Sequence, residues 1–302
     1  MFKGIIYQIF LQPKERTPRT LFAPMITSSR NSLYDCDYNI HKSNSTYFAD
    51  LDVARAHYVG SIIRTGLSRL NSGDEEGLPA DARSAKGKYG IVLGAVGCWF
   101  QREIKPMEGF EIYTRLLSWD KKWLYLVSHV VKAGKIKPNS YVLQPWRNKG
   151  NRSPEAKREE EDLKKYIFAT SIARYVVKKG RLTVNPEIVL ERSRLLPARP
   201  EGVGLPPRSG DASVVATPAA AETPAGNGTL ASPEQVAAKV TEKLGSKVGG
   251  GAKQSEADDW SWDEMEAERL RGLRMASHFD ALNGLHDELR AGEVLGKYSD
   301  WF

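Results

Sequence analysis

Apolar side chains recur along this chain with two different periods, and the change of period divides it into elements. Tyr47, Phe48, Leu51, Ala54, Tyr58, Val59, Ile62 and Ile63 fall at helical spacing and make one broad apolar face. The spacing predicts a helix over Tyr47–Ile63. Ser43 or Asn44 would open it, through a side-chain oxygen that accepts an exposed backbone N–H, and Gly66 would close it as a C′ glycine. Ahead of it, Pro13–Arg30 reads as an irregular lead-in and Asn31–Tyr38 as extended; behind it, Leu70–Lys88 has no apolar period and reads as a loop. The pattern then turns strand-like. Tyr89–Gln101 is apolar through Ile91, Val92, Leu93, Val96, Trp99 and Phe100. Phe110–Trp119 alternates, with Phe110, Ile112, Thr114 and Leu116 on one face and Glu111, Tyr113 and Arg115 on the other. The turn Asp120-Lys121-Lys122 leads into Trp123–Val131, Tyr166–Val177 resumes the alternation, and Arg181–Pro186 continues it.

One early strand, one long helix and four or more later strands predict an α+β domain. Helical crossovers do not separate the later runs, so the sheet should be antiparallel, with the long helix covering its apolar face. Past Pro197 the pattern disappears. Pro, Ala, Gly, Ser and Thr dominate to Gly251, which predicts a disordered linker with a weak helical pattern at Pro233–Leu244. Helical spacing returns over Trp260–Leu289, with Leu270, Leu273, Ala276, Phe279, Leu282 and Leu285 in register and Asp263, Glu264 and Glu266 in the first turns. Such a helix either docks back on the main domain or serves to bind a partner or cover a substrate.

Composition narrows the classes. A net charge of +7 is spread among acids, and no basic stripe emerges, so nucleic acid is not an expected partner. Two cysteines, Cys36 and Cys98, are too few for a disulfide scaffold and fit a reducing compartment as structural thiols. The apolar run Met1–Leu11 is too short to span a bilayer, which takes about 20 residues, and has no small-residue cleavage site. It predicts an arm packed on the domain or in peripheral contact with a membrane, in an intracellular, cytoplasmic or membrane-associated protein that is not secreted.

The chemistry concentrates just ahead of the long helix. Asp35, Asp37, Asn39, His41 and Asn44 lie within ten residues. In an extended segment Asp35 and Asp37 share a face, with Cys36 opposite. Acids and amides at a helix mouth are either plain caps or a reaction site. Free N–H groups and the helix dipole favour developing negative charge, and a carboxylate beside them can attack a carbonyl or activate water. His57 and His129 sit inside the helix and a strand and read as core or surface residues.

The segment Asp35-Cys36-Asp37-Tyr38-Asn39-Ile40-His41-Lys42-Ser43-Asn44-Ser45-Thr46-Tyr47-Phe48 resembles the D-x-D-x-N-x-H-x-N-N-x-x-Y motif of 4-hydroxybenzoyl-CoA-thioesterase-like hot-dog proteins. Ser43 stands where the motif has its first Asn. The likeness continues through Asp50–Arg55, Leu93–Ala95 and Arg115–Asp120, and points to the group around thioesterase superfamily member 6 and to fungal relatives in secondary-metabolite and lipopeptide pathways. It implies a hot-dog fold, a curved antiparallel sheet around a central helix, acting as a thioesterase on an acyl-CoA or acyl-carrier-protein substrate. It also implies a homodimer or dimer of dimers with the site between protomers, and neither metal nor cofactor. By position, Asp37 matches the catalytic carboxylate, His41 and Asn44 match residues that position water or the thioester, and Asn39 and Ser43 line the substrate site. A non-catalytic acyl-binding or structural hot-dog protein is the alternative. The expected layout is an arm and lead-in over 1–26, the hot-dog domain over 27–196 with a charged insertion at 145–165, the linker over 197–256, and a C-terminal amphipathic helix over 257–292.

Overall fold

Six antiparallel strands curl around one long helix in a hot-dog arrangement, with a second helix on the back of the sheet. The structure is a computed structural model, and it describes residues 16–78, 80–144, 147, 163–200, 202 and 260–288. The apolar arm Met1–Leu11, most of the charged insertion, and the linker with its weak helical pattern at Pro233–Leu244 lie outside the described residues.

The elements are β1 (Met25–Arg30), α1 (Asn44–Asn71), α2 (Ala80–Ser84), β2 (Tyr89–Phe100), β3 (Gly109–Trp119), β4 (Trp123–Lys132), β5 (Ile167–Lys179), β6 (Leu182–Val184), α3 (Pro186–Arg192) and α4 (Trp262–Ala281). The strands lie in the order β1-β3-β4-β5-β2, so β1 and β2 are the edges. β6 pairs Val177–Lys179 of β5 just beyond the stretch that β4 occupies.

α1 fills the concave face. Its buried side chains fall into two groups along the sheet. Tyr58, Val59, Ile62 and Ile63 pack with Leu116, Leu124, Leu126 and Val177. Tyr47, Leu51 and Ala54 pack with Ile104, Phe110, Ile112 and Val130. Fully burying each large apolar side chain is worth ~1.5–3 kcal/mol, which is why this face dictates where the helix sits. The opposite face of the same strands supplies Leu117, Tyr125, Val127 and Ile172, and α4 covers them with Leu273, Ala276 and Phe279. Arg174 joins this layer between the rings of Trp123 and Phe279 and pairs with Asp280. The C-terminal helix therefore docks on its own domain. A 3-10 turn over Leu282–Glu288 follows it.

Four local expectations need correction. The early strand is Met25–Arg30, inside the supposed lead-in, while Leu33–Asp35 forms a 3-10 turn instead of an extended run. Proline and arginine content hid a segment whose ladder with β3 runs from Met25↔Thr114 to Arg30↔Gly109. α1 runs on past Gly66 to Asn71. A Cβ at Gly66 would collide with Val189 O and Ser193 Oγ, so this glycine permits the close crossing of α3 and does not end the helix. The presumed loop Leu70–Lys88 contains the last two residues of α1 and all of α2, held by the buried Lys179, whose Nζ lies 2.7 Å from Glu75 Oε1 and donates to Ala82 O at 3.0 Å. Finally, Arg181–Pro186 is no continuation of β5. The chain turns back at Gly180 (φ +59°) into β6, and Pro186 begins α3, whose Asn185 cap accepts the Glu187 N–H at 2.9 Å.

Candidate active site

The site is built from a hairpin wedged between β1 and α1. After β1, Ser32 caps the 3-10 turn by accepting the Tyr34 N–H at 3.2 Å. Cys36 and Lys42 then pair as an isolated antiparallel bridge, which pulls Asp37–His41 into a tight loop. Asp37 N donates to His41 O and Ile40 N to Asp37 O, both at 3.0 Å, and Asp37 Oδ1 accepts the Asn39 N–H at 2.9 Å. Ile40 adopts φ +60°, a conformation that a β-branched residue takes only when its surroundings impose it.

Those surroundings come from far along the chain. Lys42 N donates to Ile104 O at 2.9 Å, and Ser43 N to Asp35 O at 2.7 Å. The buried Asn31 donates to Ile104 O at 3.2 Å, to Lys105 O at 3.1 Å and to Cys36 Sγ at 3.4 Å. The Lys42 side chain turns inward, near the rings of Tyr47 and Phe110, and its Nζ lies 2.8 Å from Asp50 Oδ2. The hairpin is thus clamped to the first turns of α1 by an ion pair between a buried lysine and a partly exposed aspartate. The alignment at Nζ is that of an ion pair, not of a directed hydrogen bond.

On the solvent side, His41 Nδ1 lies 3.7 Å from Asp37 Oδ1, and His41 Nε2 lies 3.9 Å from Glu103 Oε2. Asp37, His41 and Glu103 therefore form a row with the imidazole in the middle. Glu103 was invisible to sequence reasoning. It lies 62 positions beyond His41, in the loop after β2, and only the packing of that loop on the hairpin brings it in. Asn31 and Lys42 were missed as well. Lys42 gave one signal, being the charged residue between the site histidine and the helix, but that position ordinarily faces water.

The remaining candidates are placed as follows. Ser43 is the N-cap of α1, and Asn44 is its first residue and exposed. The Ser43 side chain makes no cap bond; its Oγ lies 3.0 Å from Ser45 Oγ. This corrects the expectation that a Ser43 or Asn44 side chain would satisfy the helix mouth. Asn39 is exposed at the tip of the hairpin. Asp35 ends the 3-10 turn, so the extended segment that would have put it on one face with Asp37 does not form. Cys36 and Cys98 are only half-buried, not fully enclosed as expected. Cys36 Sγ donates to Ser32 O at 3.4 Å. Burial pushes the Cys98 thiol up to about 11, against the smaller opposing effect of Arg55. Burial likewise lowers His57 and His129, and His129 Nδ1 contacts Thr170 Oγ1 at 3.1 Å, away from the hairpin. Among the described residues, no group of three or more metal-ligating side chains converges, and no helix is long and apolar enough to cross a membrane.

A carboxylate, an imidazole and an uncapped helix start on one rigid loop suit attack on a polarised carbonyl. Residues 32–144 match the thioesterase-like superfamily. Thioesterase poxG of Penicillium oxalicum is 32% identical over 269 residues, covering 89% of this chain and 70% of the relative. "Probable thioesterase atnL" of Emericella nidulans is 28% identical over 321 residues, covering 100% of this chain and 85% of the relative. Protein THEM6 of Danio rerio is 32% identical over 114 residues, covering 37% of this chain and 48% of the relative.

Proposed function

The chain belongs to the thioesterase-like superfamily, and on that premise we propose that it hydrolyses acyl thioesters with Asp37 as the catalytic carboxylate. One observation carries the reading. Asp37 is held by its own turn, beside His41, on the hairpin that leads into a 28-residue helix whose cap side chain makes no cap bond. A thioester carbonyl seated at that helix start is polarised by unsatisfied N–H groups and by the dipole. Asp37 takes the proton of an attacking water, the tetrahedral intermediate collapses, the C–S bond breaks, and the proton passes to the departing thiolate. His41 and Asn44 orient the water and the thioester, while Asn39 and Ser43 line the approach. Glu103 joins this set as the carboxylate on the far side of His41, 3.9 Å from its Nε2, where it steadies the ring.

The acyl thiol is acyl-CoA or an acyl-carrier protein, and likeness to the fungal thioesterases favours a biosynthetic role in releasing an acyl product. Two copies of the chain complete the site. β2 is a sheet edge twelve residues long, and it leaves Val92 (52%) and Trp99 (50%) exposed, which is more apolar edge than a lone domain ordinarily presents.

The test is a panel of acyl-CoA substrates with the wild type and Asp37→Asn. Hydrolysis should fall at least about 100-fold in the variant, the scale of losing a principal acid–base group. No turnover by the wild type on any chain length, or an unaffected variant, would remove the hydrolase reading in favour of acyl binding without chemistry. Light scattering should return a dimer; a clean monomer would count against a shared site.

A further inference from the structure

Beyond His41, on the side away from Asp37, a cleft of about 430 Å³ opens among the strand ends. Arg102 and Glu103 come from the loop just after β2, Lys105 and Glu108 from its continuation before β3, Lys132 from the end of β4, and Tyr166 from the approach to β5. Glu103 therefore belongs both to the cleft wall and to the row through His41 to Asp37. The cleft and the proposed reacting carboxylate are one imidazole apart.

The charge in the cleft is uneven. Four cations line it, Arg102, Lys105, Lys132 and Lys165, against two acids. One acid is already committed: Glu108 Oε1 lies 2.8 Å from Lys132 Nζ, and its Oε2 accepts the Lys105 N–H at 3.0 Å. Burial pushes Glu108 up, but these hydrogen bonds and the two lysine charges outweigh it and hold the carboxyl below its ordinary value. Arg102 donates to the Lys165 carbonyl, which fixes the guanidinium at the rim. Tyr166 and Phe168 form the less polar wall, and the Lys165 ammonium lies 5.2 Å from the Tyr166 ring centre. Cations fixed around a concavity with an aromatic side match an organic phosphate better than a fatty acyl chain, which needs an apolar lining.

We propose that this cleft binds the phosphate-bearing nucleotide end of coenzyme A. The inference rests on the thioesterase reading and extends it to the thiol carrier. Several cations on one ligand suit coenzyme A, which carries a pyrophosphate and a third phosphate, better than the single phosphodiester of a carrier-protein arm.

Adenosine 3′,5′-bisphosphate, titrated calorimetrically into the full-length protein, tests the site without any thioester. The wild type should bind it. The variant Arg102→Glu/Lys105→Glu should bind at least about 10-fold more weakly, as expected from losing charge-assisted hydrogen bonds. Lys105→Ala should fall between, and an unchanged unfolding midpoint would show that both variants fold. In turnover, the double variant should raise KM for acyl-CoA with kcat unchanged, and leave the acyl-pantetheine thioester, which has no phosphate, unaffected. The proposal is overturned if the bisphosphate fails to bind, if it binds wild type and variant alike, or if inorganic phosphate binds as tightly, since a general phosphate site would serve a carrier arm equally. Charge-sensitive binding alongside an unaffected Asp37→Asn would sink the hydrolase reading and leave the cleft standing; the reverse pattern would do the opposite.

Discussion

The two long helices of this protein begin with the same residue and end up in opposite circumstances. α1 and α4 each have a serine at the N-cap in extended conformation, with ψ near 137° at Ser43 and 160° at Ser261. Ser261 forms a complete capping box: its Oγ accepts the Glu264 N–H at 3.2 Å, and the Glu264 carboxylate accepts the Ser261 N–H at 3.1 Å. Ser43 does neither. The residue three places on is Thr46, which donates both its N–H and its hydroxyl to Ser43 O, at 3.0 and 2.8 Å. A helix whose task is to cover the back of a sheet closes its own start. The helix that follows the Asp37 hairpin has no side-chain cap at its start, and its first turn is closed only by Thr46 on Ser43 O. On the proposed function, stability and chemistry compete for the same few N–H groups, and each helix resolves that competition differently.

The strongest way to break this contrast is Asp37→Asn, with hydrolysis falling at least about 100-fold while the unfolding midpoint stays within error, because Asp37 is partly exposed and bonded only within its own turn. Damage to α4 should give the opposite result. A Cβ at Gly272 would strike Leu117 O, so Gly272→Ala should cost about 1–3 kcal/mol in denaturant unfolding, with kcat unchanged wherever the protein remains folded. A smaller effect separates the caps themselves. Ser261→Ala should lose about 0.5–2 kcal/mol, whereas Ser43→Ala should stay within about 0.5 kcal/mol. Equal losses would mean that the two starts are satisfied alike. The smallest effect concerns Cys98, packed beneath the first turns of α1. Its folded value of about 11 exceeds its ordinary 9.0, so the unfolded chain ionises first and stability falls as pH rises from about 9 towards 11. Cys98→Ala should flatten that part of the stability–pH curve relative to wild type.

Much of this was legible before any coordinates. The helical period over Tyr47–Ile63 lies within α1, the alternation over Phe110–Trp119 coincides with β3, and the turn Asp120–Lys122 does join β3 to β4. Where reading failed, a distant partner outweighed a local signal. Gly66 looked like a stop because glycine is a poor helix residue, yet contact with Val189 O requires it there. Met25–Arg30 looked irregular because its strand character depends on β3 pairing, not on its own composition.

What the chain determined by itself is the long helix, the strands β2 to β5, the C-terminal helix and the group of polar residues from Asp37 to Asn44, because hydrophobic period and motif spacing are local properties. What only the tertiary structure decided is the surrounding of that group. Glu103 stands across His41, Asn31 and Ile104 clamp the hairpin, and Lys42 is buried against Asp50. The cations of the cleft likewise gather from the loop between β2 and β3, the end of β4 and the approach to β5. Their sequence separations are set by strand lengths and loops, which carry no mark of the neighbour each side chain will meet once the sheet closes around its helix.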